Sequence, residues 1–208
     1  MSVAIRPARV EDVEDMRALV NRYAAEDRML ERSRDFLLEH LRDFVVAEDT
    51  SGFLGCCSLA VLTPDLAEVR SLAVRPEASG RGIGRQLVLA CVAEARRLGL
   101  RRVFALTLVP DFFQRCGFVL TSLGRLPEKS ASECPVCPKR FACDEHAMLL
   151  HLDGLTLDDL RRYDKRFEAT ALEEMRSERS VASRVSPGGT AADRVREAIA
   201  EVKAALKR

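Results

Sequence analysis

Three glycines within five residues restrict the folds open to this chain more than any other feature. They are Gly80, Gly82 and Gly84, in the run Ser79-Gly80-Arg81-Gly82-Ile83-Gly84-Arg85. Before them, residues 66–74 are apolar-rich with Glu68 and Arg70 at alternate positions, as in a mostly buried strand. Pro76, which has no N–H to donate, then ends the ladder. After them, from Arg85 on, Leu87, Val88, Cys91, Val92 and Ala95 recur at helical spacing and predict an amphipathic helix to about Leu98. A glycine loop at a helix start gathers backbone N–H groups that have no internal partner. Without Cβ atoms in the way, an anion can approach them. Phosphate or pyrophosphate is the natural occupant, with Arg81 and Arg85 adding charge to the same rim.

Two common glycine loops do not match. The phosphate loop of nucleotide hydrolases needs Lys-Ser or Lys-Thr after its last glycine, and the dinucleotide fingerprint is Gly-x-Gly-x-x-Gly, whereas this loop reads Gly-x-Gly-x-Gly. A tight turn into a helix, with no ligand, is the plain alternative. Val69–Val74, Arg75-Pro76 and Ser79–Gly84 together resemble the acetyl-CoA signature of the GNAT N-acetyltransferase superfamily. That resemblance implies a GNAT fold, a mixed α/β (α+β) sheet with two splayed strands and helices on both faces. It also implies acetyl-CoA held by Leu72, Ala73 and Val74 on the strand and by Gly80, Arg81, Gly82, Ile83, Gly84 and Arg85 in the loop. Ser79 stands where the family usually has Gln or Arg, which removes a side-chain contact and leaves the amide cradle.

The rest of the chain fits such a domain over residues 1–152. Residues 3–7 read as a first strand, and Val10, Val13, Met16, Leu19, Val20 and Tyr23 as the stripe of a helix to about Ala25. Glu11, Asp12, Glu14 and Asp15 at its start read mostly as solvated charges. Ser33 caps a helix from Arg34 to about Arg42. Residues 44–48 and 53–62 flank the turn cluster Asp49-Thr50-Ser51-Gly52 and predict a hairpin, with Cys56 and Cys57 as core residues. Strand 102–108, a short helix from Pro110 to Arg115, and strand 118–122 follow. The cysteine-containing segment 123–145 shows no regular periodicity, and 146–152 closes the domain as an apolar strand. The splayed pair would be 66–74 and 103–108. Beyond, 155–180 and 191–206 are charged helical patterns about a hinge at 186–189, making 153–208 an extension that packs on the domain, on a second copy in a homodimer, or on a partner.

Acetyl transfer to an amine needs a group to take the amine's proton and another to donate to the leaving thiolate. Glu68, on the strand just before the cofactor segment, is the candidate base; a surface glutamate paired with an arginine is its alternative. Many GNAT enzymes protonate the thiolate from a tyrosine in Phe-Tyr-x-x-x-Gly-Phe, but here the run is Phe112-Phe113-Gln114-Arg115-Cys116-Gly117-Phe118, and phenylalanine cannot donate. The role passes to Thr107, to a water, or is dispensed with. A narrower resemblance, carried by LERSRD, DFVVAE, AEVRSLAV, VFALT, FFQRCGF and LPEK, is to the acetyltransferase domain of N-acetylglutamate synthases, in the short form without an amino-acid-kinase domain. It implies L-glutamate as acceptor and a step in arginine biosynthesis. Arginine forks suit a dicarboxylate, so Arg32, Arg34, Arg70 and Lys129 are the carboxylate-binding candidates, each with a surface charge as its alternative. Another small amine or a protein N-terminus as acceptor, and a module that only binds acyl-CoA or a partner, are the other readings.

Cys134, Cys137, Cys143 and His146 could supply a tetrahedral zinc site or hold an iron–sulfur cluster. Free thiols in a loop over the acceptor are the alternative. Lys and Arg total 33 against 32 Asp and Glu, so nothing global calls for nucleic acid or a membrane surface. The N-terminal residues have no apolar signal core and no apolar run approaches 18, so the expected compartment is the cytoplasm, with cysteines reduced or metal-bound.

Overall fold

The computed structural model describes residues 2–152. In chain order it runs β1 (Ala4–Pro7), α1 (Val13–Ala25), α2 (Arg34–Glu39), β2 (Phe44–Asp49), β3 (Gly52–Thr63), β4 (Leu66–Val74), α3 (Ile83–Arg97), β5 (Arg102–Thr107), α4 (Pro110–Arg115), β6 (Val119–Thr121), α5 (Pro127–Ser132) and β7 (His146–His151). The strands form one sheet in the order β1-β2-β3-β4-β5-β7-β6, and β4–β5 is its parallel pair. The mixed α/β sheet with two parting strands and helices on both faces, which the resemblance implies, is the architecture observed.

Alternation along β3, shifted by one residue at the bulge where Ala47 pairs with Gly55 and Glu48 with Phe53, sends its side chains to two cores. Cys57, Leu54 and Leu59 pack with Ile83, Leu87, Val88, Cys91, Val92 and Ala95 of α3 on one face. Cys56 and Phe53 pack with Val13, Met16, Leu19 and Val20 of α1 and Leu37 of α2 on the other. Both cysteines serve the core, as read from the sequence, and burial pushes the Cys56 thiol up to about 12. A third apolar group, Leu66, Phe104, Leu126, Ala147 and Leu149, seats the end of the 123–126 turn against β4, β5 and β7.

Two local expectations are corrected. Asp12 is not a solvated charge: it is 6 % exposed and accepts from Arg6 Nη1 at 2.7 Å, Arg6 Nη2 at 2.9 Å and the Arg9 N–H at 2.7 Å. The Arg6 hydrogen bonds hold its carboxyl below the usual carboxylate range. The segment 123–145 is not wholly irregular, because Pro127 starts the single-turn helix α5, too short to show a periodicity. The extension 153–208, its hinge and its helices lie outside the described residues.

Three departures from a regular sheet build a cleft at β4. The parallel pairing of β4 with β5 runs only from Leu66↔Arg102 to Glu68↔Phe104, after which the strands part as expected. β5 instead pairs along its whole length with β7, from Arg102↔His151 to Thr107↔His146. On its other edge β4 carries a bulge, since Cys56 pairs with Ala73 and Ser58 with Arg70, leaving Ser71 and Leu72 opposite Cys57. Ser71 takes φ of 53°, which a non-glycine residue adopts at a cost, and this redirects the backbone beside the cleft.

Candidate active site

Where β4 and β5 separate there is a cavity of about 1310 Å³, larger than a drug-sized pocket and roomy enough for a cofactor with a small acceptor. One end is formed by the loop 78–85, with Gly80, Gly82, Ile83, Gly84 and Arg85 on its wall. Gly82 caps α3 with φ of 76°, Gly80 has the same φ, and a Cβ at either position would meet no atom within 4 Å. The space outside these backbone N–H groups is open, so the loop fits a pyrophosphate at a helix start. The helix begins at Ile83, two residues earlier than its apolar stripe implies, and places Gly84 in the first turn. Arg81 is turned away: its Nη2 donates to Asp49 at 2.8 Å, and it is not on the cavity wall. Arg115, at the end of α4, supplies a cation there beside Arg85, a residue the sequence reading did not single out.

Leu72, Ala73 and Val74 line the middle of the cavity on the β4 edge that β5 has left. Tyr23 reaches across from α1 and its hydroxyl donates to the Val74 carbonyl at 2.7 Å. This contact was missed because Tyr23 sits on the apolar stripe of α1, where it reads as core. The hydroxyl is thereby committed to the backbone. Thr107, at the end of β5, faces the same space; its Oγ1 accepts from the Val109 N–H at 3.0 Å, which leaves its own proton free to donate.

The opposite end is a network of charge. Glu68 is 4 % exposed, and its Oε2 accepts from Lys129 Nζ at 2.8 Å and lies 3.9 Å from Arg70 Nη1. Burial raises the Glu68 carboxyl above its ordinary value, and the pull of Lys129 and Arg70 does not cancel it. Lys129, brought in by α5 and 7 % exposed, also donates to Glu133 at 2.7 Å; burial works against its charge, but the two carboxylates hold its ammonium above the usual range. Arg70 Nη1 reaches Glu133 at 3.3 and 3.5 Å, and Arg70 Nε is buried without a partner. Arg32 lies over the Phe36 ring at 4.4 Å and offers Nε to Ser71 Oγ at 3.5 Å. Among the described residues no carboxylate comes within 4.0 Å of it. Burial, then Arg70, pushes the Arg32 guanidinium down.

Of the sequence candidates, Glu68, Arg70, Arg32 and Lys129 therefore meet in one place, with Thr107 on the facing strand. Arg34 does not join them: it points outward from the start of α2, donates to Glu14 at 3.0 Å and is absent from the cavity wall. Ser33, whose Oγ accepts from the Phe36 N–H at 3.0 Å as the cap of α2, turns the chain between Arg32 and Arg34 and sends them apart. Cys134, Cys137 and Cys143 border the acceptor end, but His146 is an exposed residue of β7 away from the cavity wall. Among the described residues no three Cys, His, Asp or Glu side chains converge as metal ligands, so the expected zinc or iron–sulfur set is not assembled. Burial raises the Cys134 thiol above its ordinary value. No described helix is long and apolar enough to cross a membrane.

The profile described as "Acetyltransferase (GNAT) family" matches residues 10–118. An uncharacterised N-acetyltransferase of Chlorobaculum tepidum is 43 % identical over 145 residues, covering 70 % of this chain and 94 % of that protein. An amino-acid acetyltransferase of Mycobacterium tuberculosis is 41 % identical over 117 residues, 55 % of this chain and 67 % of that one. Among solved structures, N-acetylglutamate synthase from Neisseria gonorrhoeae, complexed with coenzyme A and N-acetyl-glutamate, superposes with a TM-score of 0.66 at 28 % identity. The match covers 73 % of this chain and 35 % of that one, so the chain spans about a third of the synthase's length.

Proposed function

The chain belongs to the acetyltransferase (GNAT) family and is an N-acetyltransferase, and we propose that it moves the acetyl group of acetyl-CoA to the α-amine of L-glutamate, a reaction of arginine biosynthesis. The observation that carries the acceptor is the pair of guanidinium groups on the cavity wall. Arg32 is half-buried with no carboxylate within 4.0 Å of it among the described residues, and Arg70 keeps a buried Nε without a partner. A buried cation without an anion is costly, and a carboxylate that accepts from such a fork is bound strongly and with fixed geometry. An acceptor with two carboxylates answers both groups, whereas a polyamine would meet like charge. The relatives named amino-acid acetyltransferase and the synthase solved with N-acetyl-glutamate support the same reading.

Acetyl-CoA, when bound, supplies an activated acetyl thioester. The residues around it divide the remaining work. The backbone N–H groups of the loop at the open Gly80 and Gly82 and at Gly84 in the first turn of α3, with Arg85 and Arg115, hold the pyrophosphate end. The unpaired edge of β4 at Leu72, Ala73 and Val74 holds the pantetheine portion by backbone hydrogen bonds. Arg32, Arg70 and Lys129 hold the acceptor's carboxylates. Glu68, its carboxyl raised by burial, takes the proton from the acceptor's ammonium directly or through a water. Thr107 donates a hydrogen bond from its hydroxyl to the leaving thiolate, which takes its proton from water.

Thiol release from acetyl-CoA by the purified protein tests the reading, with L-glutamate set against the other amino acids and a series of polyamines and the product identified by mass. Release with glutamate and formation of N-acetylglutamate is the expected result. Equal or faster release with a neutral amino acid or a polyamine would overturn the acceptor.

A further inference from the structure

Glu133 draws support for a carboxylate from only one residue of its own helix, Lys129. It follows α5 as the C-terminal cap, where the helix dipole disfavours negative charge, and Lys129 precedes it by four residues, the weaker order for such a pair. What holds it is the acceptor end of the cavity. Glu133 Oε2 accepts from Lys129 at 2.7 Å, while its two oxygens lie 3.3 and 3.5 Å from Arg70 Nη1. Those last contacts are long beside the 2.7–2.9 Å of a good charge-assisted bond. They leave Arg70 Nε, buried and unpartnered, out of the interaction. The fork of Arg70 is thus engaged through one nitrogen only, by a side chain that is 42 % exposed and can turn to water.

The group at the end of a glutamate side chain is the group that the proposed acceptor presents. On that acceptor assignment, we propose that Glu133 is a built-in competitor for the acceptor's carboxylate. It shares the charge of Arg70 and Lys129 until the acceptor displaces it, and so sets how tightly an acidic acceptor is held. Displacement would exchange a one-nitrogen contact at Arg70 for a bidentate one, and would leave Lys129 with Glu68 and the incoming carboxylate as its partners.

The test is steady-state kinetics of Glu133→Gln in the full chain at saturating acetyl-CoA, alongside inhibition by glutarate, which has both carboxylates and no amine. The KM for L-glutamate and the inhibition constant for glutarate should both fall, by about three- to fivefold for release of a partly exposed ion pair. The kcat should stay within about twofold and the KM for acetyl-CoA should not move. A residue that merely braces α5 would raise these constants or lower kcat, and an unchanged or raised glutarate constant overturns the proposal. Glu133→Ala repeats the measurement should the first variant fold poorly. The two readings fail separately. A wild-type enzyme inert toward glutamate removes the acceptor assignment and the competitor with it. Turnover of glutamate with constants that do not fall in the variants removes the competitor alone.

Discussion

Glu68→Gln isolates proton removal from everything else Glu68 does. The amide keeps the size and an acceptor oxygen, so it can still accept from Lys129 at the 2.8 Å position, and Lys129 retains Glu133 as counter-charge. Burying a neutral amide also removes the desolvation that raises the Glu68 carboxyl, which offsets much of the lost ion pair. Thermal stability should therefore change by no more than about 1 kcal/mol. Loss of a positioned base costs about 10²–10⁴ in rate, so kcat should fall at least about 100-fold, or about 2.7 kcal/mol of barrier, at unchanged acetyl-CoA KM. The pH profile gives an independent sign. Glu68 must be ionised to act and its carboxyl is raised, so wild-type activity should climb with pH through a point above the ordinary glutamate range. That limb should vanish in the variant. Lys129, Arg70, Glu133 and Glu145 face the same cavity. A limb that persists in Glu68→Gln would move the base to one of the other carboxylates, and a kcat within threefold of wild type would refute the argument outright.

Two further substitutions probe the frame and the acceptor end. A Cβ at Gly55 would lie 2.5 Å from the Ala73 carbonyl oxygen and 3.1 Å from Val74 Cα, both backbone atoms of β4. Gly55→Ala should cost about 3 kcal/mol, near the top of the overpacking range, and raise the acetyl-CoA KM because the cofactor edge itself must shift; a variant with wild-type melting temperature and KM counts against it. Arg32→Ala should raise the L-glutamate KM about 10- to 100-fold, the worth of a charge-assisted hydrogen bond. Arg34→Ala, outside the cavity, should stay within about twofold, and equal effects in the two variants would mean that the cavity wall does not define the acceptor site.

How far the sequence could be read followed from the range of the interactions. The glycine loop and α3 were legible because their signal is local: glycines where the backbone needs positive φ, then apolar residues at helical spacing. The splay of β4 from β5 came only through family resemblance, since no pattern in either strand tells where their pairing stops at Glu68↔Phe104. The acceptor end was half legible. Arg32, Arg70 and Lys129 were identifiable as cations of the right type, but Lys129 also closes an ion pair on Glu68 across 61 residues of chain. Nothing short-range announces that pair. Arg32 and Arg34 look equivalent in LERSRD, and only the capping turn at Ser33 sends one inward and the other to Glu14. Tyr23, Arg115 and Glu133 were passed over because each fits an ordinary role, in a helix stripe or on a charged surface, until the chain brings it to the cavity.

The missing tyrosine of the family pattern bears on which group assists the leaving thiolate. Phe113 holds that position: it is buried on the cavity wall, edge-on to the rings of Phe112 and Phe118 at 5.2 and 5.3 Å, so it can shape the pocket but has no proton to give. Tyr23 has a proton but spends it on the Val74 carbonyl. Thr107 accepts from the Val109 N–H and keeps its own hydrogen, on the strand that faces β4 across the gap. The comparison that isolates this hydrogen is Thr107→Ser against Thr107→Val. Serine keeps both the donor and the acceptor and should hold kcat within about threefold. Valine keeps the shape, strands the Val109 N–H at a cost of about 1–3 kcal/mol in stability, and should lower kcat by about 100-fold if the hydroxyl hydrogen-bonds the leaving thiolate. Repeating both variants with a thioester whose leaving thiol is more acidic separates the two effects. The deficit of the valine variant should shrink, because a better leaving group needs less help. A deficit that does not change with the leaving group would leave Thr107 as a brace for the β5–α4 turn and pass the hydrogen bond on the thiolate to water.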